Sequence, residues 1–132
     1  MLELNTLRGQ VETHLNKLLP AQSSIAQPML DAMRHAVLGG GKRMRPMFAC
    51  ASCEAFGGEL QAALVSGCAL EFIHSYSLIH DDLPAMDDDD IRHGQPSTHI
   101  AFGEANAILA GDSLHSLAFQ ACLLYTSPSP RD

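Results

Sequence analysis

Residues 61–83 read QAALVSGCALEFIHSYSLIHDDL. This segment is too long for a β-strand and is rich in helix-favouring residues, so it predicts one long apolar helix. Two aspartates, Asp81 and Asp82, lie at its end. Because apolar helices are normally buried and charges are costly to bury, these carboxylates require a specific explanation.

The residues before this segment predict three more helices. In 4–18, apolar side chains recur every three or four positions, which is the period of one helical face. Pro28 is suited to the first turn of a second helix that Gly39 ends. Pro46 is predicted to open a third helix that ends near Gly57.

A helical pattern resumes in 102–121, after the turn-prone RHGQPST of 92–98. Since neither a strand pattern nor an internal repeat occurs, the predicted fold class is all-α. The last eleven residues, CLLYTSPSPRD (122–132), show no apolar periodicity and match one reading frame of a common transposase sequencing adapter. We therefore expect 122–132 to be a non-native, adapter-derived tail, with the gene cut at Ala121.

The composition is that of one globular domain: 132 residues, of which 46% are hydrophobic and 17% charged. Fifteen acidic residues against eight Lys and Arg give a net charge of −7. Six of the acids lie in 81–90, and the remaining nine nearly balance the eight bases, so the acidity is local. The chain has no run of about 18 apolar residues and no leader pattern. We expect a cytoplasmic protein with no membrane insertion and no nucleic-acid partner.

The cluster HDDLPAMDDDD (80–90) concentrates carboxylates that repel one another unless cations neutralise them. Oxygen-only ligands favour magnesium, manganese or calcium over zinc. Asp87 follows Asp81 by six positions, which on an ideal helix is a rotation of about 240°. The two side chains can face one site only if the helix is distorted between them, and Pro84 is placed to cause that distortion. A solvated run of charges is the alternative interpretation.

The second cluster, GGGKRMRP (39–46), combines flexible glycines with cations just before a helix begins. Its three cations are Lys42, Arg43 and Arg45. Glycines let the backbone approach an anion, a helix N-terminus favours negative charge, and arginine donates two hydrogen bonds to phosphate oxygens. The pattern therefore indicates a diphosphate clamp, with a basic helix cap as the alternative. Arg92 and His93 add further donors directly after the aspartates.

Three segments, in order, closely resemble the N-terminal half of trans-prenyl diphosphate synthases, specifically the bacterial farnesyl diphosphate synthases. They are GGGKRMRP (39–46), EFIHSYSLIHDDLPAMDDDDIRHGQPSTH (71–99) and FGEANAILAGDSL (102–114). The resemblance covers nearly all of 1–121. It implies that 1–121 is the truncated N-terminal part of a polyprenyl synthase domain, the first half of an isoprenoid synthase helical bundle.

The resemblance implies an enzyme that condenses isopentenyl diphosphate with dimethylallyl or geranyl diphosphate to give farnesyl diphosphate. It implies Mg²⁺ as cofactor, held by Asp81 and Asp87 with Asp82 in support, and it makes Asp81, Asp87 and Arg92 catalytic. Metal and arginine charges would stabilise the departing pyrophosphate. The family's second aspartate-rich motif is missing from this sequence, so we expect the fragment itself to be inactive. The full-length protein is expected to be a homodimer.

Substrate-binding roles also follow from the resemblance. Lys42, Arg45 and His74 would hold isopentenyl diphosphate, and Arg92 would hold the allylic diphosphate. His93 occupies a position where the family usually carries a second arginine, so this contact is expected to be weaker. Tyr76 and Ser77 lie where the family sets product length, and a bulky ring at position 76 favours a fifteen-carbon product.

Three alternatives stay open. A geranylgeranyl diphosphate synthase would differ mainly near Tyr76 and Ser77. A class I terpene cyclase would share the aspartate-rich site but would bind no second diphosphate, and so would not need residues 39–46. A non-catalytic prenyltransferase subunit would keep the fold and pair with an active synthase.

Overall fold

The computed structural model describes residues 3–126, most of which are helical. The helices are α1 Leu4–Leu18, α2 Gln27–Leu38, α3 Met44–Ala55, α4 Leu60–Asp82, α5 Thr98–Phe102 and α6 Glu104–Thr126. Two short strands, β1 Ile91–Arg92 and β2 Gln95–Pro96, pair antiparallel between α4 and α5. The predicted all-α class is confirmed, and this small hairpin is the sole sheet among residues 3–126.

Helix α4 lies at the centre of the fold and packs against α1, α2, α3, α5 and α6. The apolar side chains that it buries include Leu64, Phe72 and Ile79. Gly67 lets α3 come close, because a Cβ at this position would lie 2.7 Å from the Cα of Pro46. The long apolar helix expected from the sequence is therefore confirmed as the core of the fold.

The helices before α4 follow their predicted patterns with one difference at α3. Helix α1 covers the predicted 4–18, and Pro28 lies in the first turn of α2. Helix α3 begins at Met44, two residues before Pro46. The N–H groups of a first helical turn have no partner within the helix, so a proline is tolerated throughout that turn and does not mark its first residue.

The stretch 92–98 contains ordered structure that the sequence patterns did not predict. A turn with positive φ at His93 (52°) and Gly94 (75°) connects β1 to β2, and α5 follows directly. Strands of two residues are too short to show the alternation by which strands are recognised. A hydrogen bond between His35 Nε2 and the Pro96 carbonyl (2.9 Å) attaches this hairpin to α2.

Helix α6 continues past the predicted boundary at Ala121. Residues 122–126 are helical, so the expectation that the helical pattern stops at Ala121 is wrong for them. The two prolines of the tail come later in the sequence, at 128 and 130. Residues 127–132 lie outside the described residues, and the adapter origin of 122–132 stays a prediction.

Within residues 3–126, two helices have the length and composition of membrane spans: α4, and residues Glu104–Tyr125 of α6. Of the most apolar 18-residue stretch of α4, 56% is buried within the fold, as is typical of a core helix. The corresponding share for α6 is 33%. Helix α6 buries Leu114 but leaves Leu109 and Phe119 exposed. The absence of membrane insertion therefore stays a prediction.

A buried arginine attaches the loop before α3 to three other helices, α1, α2 and α4. The side chain of Arg43 is 3% exposed, and its guanidinium donates to Glu12 of α1 (Nε–Oε1 2.5 Å). It also donates to Glu71 of α4 (Nη1–Oε2 3.4 Å) and to the carbonyl of Val37 (2.7 Å). Burial alone would lower the pKa of Arg43, but the two glutamates outweigh it and raise the pKa. Nε, Nη1 and Nη2 of Arg43 all bind protein oxygens, which indicates a structural role for this arginine.

We expect Arg43→Met to lower the free energy of unfolding by about 3–5 kcal/mol, because it leaves Glu71 buried without its cation. Urea denaturation measures this change. The control is Arg45→Met, since Arg45 is exposed and its loss should cost less than about 0.5 kcal/mol. Equal effects of the two substitutions would show that Arg43 does not hold the fold together.

Candidate functional site

A cavity of about 310 Å³ lies between the loop 39–45, helix α4 and the β1–β2 hairpin. The five residues expected to bind substrate all line it: Lys42, Arg45, His74, Arg92 and His93. They come from three separate parts of the chain, and the fold brings them together. The cavity therefore collects cationic and imidazole groups in one place, which suits a ligand with several negative charges.

Glycines shape the loop that forms one wall of this cavity. Gly40 and Gly41 both have a φ of 124°, a conformation that side-chain-bearing residues rarely adopt. A Cβ at Gly41 would lie 3.8 Å from Nε2 of His93, so the loop backbone passes close to the hairpin. Lys42 and Arg45 stay exposed on either side of the buried Arg43. The loop thus leaves two of its three cations free for a ligand.

The opposite wall is fixed by an ion pair between β1 and the end of α4. Arg92 donates two hydrogen bonds to the Asp82 carboxylate, Nη2–Oδ1 at 2.6 Å and Nε–Oδ2 at 3.2 Å. Asp82 is 2% exposed. The hydrogen bonds to Asp82 raise the pKa of Arg92, which keeps its positive charge. Because both oxygens of Asp82 already bind Arg92, Asp82 positions this arginine at the cavity.

A turn after α4 brings the backbone of Asp87 back to that of Asp81. Helix α4 ends at Asp82, and the Asp87 N–H donates to the Asp81 carbonyl (2.8 Å). The expected distortion within the helix is therefore wrong, since the helix ends before Pro84. Asp81 and Asp87 are both exposed, and neither lines the cavity, whereas Asp82 does. Their carboxylates offer oxygen ligands only, a donor set that fits Mg²⁺.

His74 is the imidazole of α4 that faces the cavity. Burial lowers its pKa, and the positive charge of Arg45 lowers it further. Arg92 and His93 act in the same direction, while Glu71 opposes them. Burial is thus the main cause of the lowered pKa of His74, and the positive groups around it add to the shift. An anion in the cavity would oppose only this electrostatic part.

Tyr76 and Ser77 do not line the cavity. The Tyr76 ring makes edge contacts with the rings of His80 and His115, each at a centroid distance of 5.2 Å. His115 belongs to α6 and also contacts Phe119. Ser77 Oγ donates to the His74 carbonyl (2.6 Å). Tyr76 therefore belongs to an aromatic cluster between α4 and α6, and the sequence alone gave no signal for His115 in it.

Comparison with known proteins gives consistent matches. A family model described as polyprenyl synthetase matches residues 26–131. The chain is 52% identical over 115 residues to a farnesyl diphosphate synthase of Haemophilus influenzae, which covers 84% of this chain and 39% of that protein. It is 48% identical over 122 residues to a geranylgeranyl diphosphate synthase of Cyanophora paradoxa, covering 92% and 40% of the two chains.

Among solved structures, a geranyltransferase from Legionella pneumophila superposes with a TM-score of 0.89 at 40% identity. The match covers 94% of this chain and 44% of that one. The chain spans about two fifths of the length of the two curated relatives. Sequence and fold thus agree on the same group of proteins.

We expect Arg45→Gln to raise the pKa of His74, because the substitution removes a positive charge that disfavours the imidazolium. The imidazole ¹H and ¹⁵N shifts, followed by NMR across pH, measure the change. Because burial is the larger cause, the pKa should stay below the ordinary histidine value. Arg8→Gln on α1 is the control and should leave His74 unchanged. An unchanged or lowered pKa in Arg45→Gln would contradict this electrostatic description.

Proposed function

We propose that this chain, which belongs to the polyprenyl synthetase family, is part of a prenyltransferase that condenses isopentenyl diphosphate with dimethylallyl or geranyl diphosphate to give farnesyl diphosphate. The observation that carries the proposal is the cavity in which Lys42, Arg45 and His74 face Arg92. Two diphosphates require cationic groups that bind their phosphate oxygens, and the cavity supplies these groups. A bridging Mg²⁺ requires oxygen ligands, and the carboxylates beyond the cavity supply them.

Isopentenyl diphosphate is assigned to the cationic wall. Lys42 and Arg45 would bind its phosphate oxygens, and the flexible backbone at Gly40 and Gly41 allows close approach. His74 would add a hydrogen bond from α4. His93 would make a fourth contact, and an imidazole carries less positive charge near neutral pH than a guanidinium does.

The allylic diphosphate is assigned to the aspartate side. Asp81 and Asp87 would hold Mg²⁺, which when bound supplies positive charge to the leaving pyrophosphate. Arg92 would bind the same diphosphate, and its ion pair with Asp82 fixes its position before substrate arrives. Preorganised charge of this kind lowers the barrier where negative charge develops.

Product length is assigned to Tyr76 and Ser77 on α4. The Tyr76 ring packs between His80 and His115, so its position is held from both helices. A ring fixed in this way would block growth beyond fifteen carbons. A geranylgeranyl diphosphate synthase is the second candidate, favoured by the 48% identity to the Cyanophora paradoxa protein.

The active protein would be longer than this chain. The sequence contains one aspartate-rich cluster, at 81–90, and two such clusters would be needed to hold the allylic diphosphate from both sides. We therefore propose that the 132-residue chain is inactive and that the full-length protein is a cytoplasmic homodimer. Exposed apolar residues of α6, such as Leu109 and Phe119, would be covered there.

The full-length protein, with Mg²⁺, isopentenyl diphosphate and geranyl diphosphate, should make a fifteen-carbon prenyl diphosphate. Asp81→Ala should lower kcat by at least about 100-fold, because one metal ligand is lost. Product chromatography with chain-length standards measures both results. Asp31→Ala on α2 is the control and should keep full activity. An intact protein that makes no prenyl diphosphate would refute the proposal and favour a non-catalytic subunit.

The same assay separates the two candidates. Tyr76→Ala should shift the product from fifteen carbons toward twenty, because it removes the ring between α4 and α6. Chain length is read on the variant under identical conditions. A wild-type protein that already makes a twenty-carbon product would establish the geranylgeranyl alternative.

A further inference from the structure

His99 is a buried histidine whose ring has no partner among the described residues. It lies in α5 and is 6% exposed. Both Nδ1 and Nε2 are buried and neither makes a hydrogen bond within residues 3–126. Burying polar nitrogens without partners is unfavourable, so a ligand that binds one of them would stabilise the fold.

Two carboxylates point to the same place. One ligand atom each from Asp88, Asp90 and His99 lie within 4.8 Å of one another. The group thus consists of two exposed carboxylates and one buried imidazole. A cation between them would satisfy the buried imidazole, and the two exposed carboxylates would close onto the ion as they bind it.

The backbone that carries these carboxylates is held in place. The N–H of Asp88 donates to the Leu83 carbonyl (3.1 Å), and the N–H of Ser97 donates to the Asp90 carbonyl (2.8 Å). Ser97 Oγ also donates to the Asp89 carbonyl (2.6 Å). The segment is therefore attached both to the end of α4 and to the residue before α5, so the carboxylates are presented by a fixed backbone.

We propose that Asp88, Asp90 and His99 form a binding site for a zinc-like divalent transition metal, separate from the Asp81 and Asp87 pair. Imidazole nitrogen with carboxylate oxygen suits Zn²⁺, whereas Mg²⁺ prefers oxygen ligands alone. Three protein ligands leave one position for water. The metal would connect the segment that carries Asp88 and Asp90 to α5. This site does not depend on the proposed prenyl transfer.

The test uses the 132-residue chain in excess Mg²⁺, which occupies oxygen-only sites, and titrates it with Zn²⁺ by calorimetry. One equivalent should bind, and the ¹⁵N signals of the His99 ring should shift on binding. Asp88→Asn should weaken binding at least about 10-fold, because a direct ligand contributes no less than the supporting residues of a metal site. Asp89→Asn makes the same charge change one position away and should bind as the wild type does.

Each other result overturns the proposal. Binding that is unchanged in Asp88→Asn and Asp90→Asn would assign the zinc to the cysteines or to another surface group. Equal losses in Asp88→Asn and Asp89→Asn would show general attraction to an acidic loop. Loss of zinc binding in Asp81→Asn, with binding kept in Asp88→Asn, would place the metal at Asp81 and Asp87. No binding at all would leave His99 a buried imidazole without a metal.

Discussion

The site depends on the burial of Arg43. Its guanidinium binds Glu12, Glu71 and a main-chain carbonyl, which attaches the glycine-rich loop to α1 and α4. With this side chain turned inward, the neighbouring Lys42 and Arg45 remain exposed at the cavity. A second ion pair, between Asp82 and Arg92, fixes the opposite wall. Two guanidinium groups bound to carboxylates, Arg43 and Arg92, thus set the shape of the cavity in which Lys42 and Arg45 stay exposed.

The helices were predictable because their signals are local. Apolar periodicity identified α1, and the long apolar run identified α4, since a helix buried on several sides needs apolar residues on several sides. The aspartate cluster and the cationic loop could also be found, because charge density near a buried helix is unusual. How the chain turns between Asp81 and Asp87 could not be predicted, since a proline after a helix can either bend it or end it.

The residue pattern alone does not separate the roles of like residues. Lys42, Arg43 and Arg45 look equivalent in GGGKRMRP; the family resemblance pointed to Lys42 and Arg45, and burial identifies Arg43 as the structural arginine. The β1–β2 hairpin gave no signal because its strands are too short for alternation. His99 gave none either, because its missing partners depend on long-range packing around α5.

The most direct test of this account is calorimetric titration of the 132-residue chain with isopentenyl diphosphate. The account predicts one bound equivalent, with affinity lowered at least about 10-fold in Arg45→Gln because a charged hydrogen bond to phosphate is lost. Lys17→Gln on α1, far from the cavity in sequence and outside its lining, should bind as the wild type does. No binding, or equal binding by wild type and Arg45→Gln, would contradict the assignment of the cavity to a diphosphate.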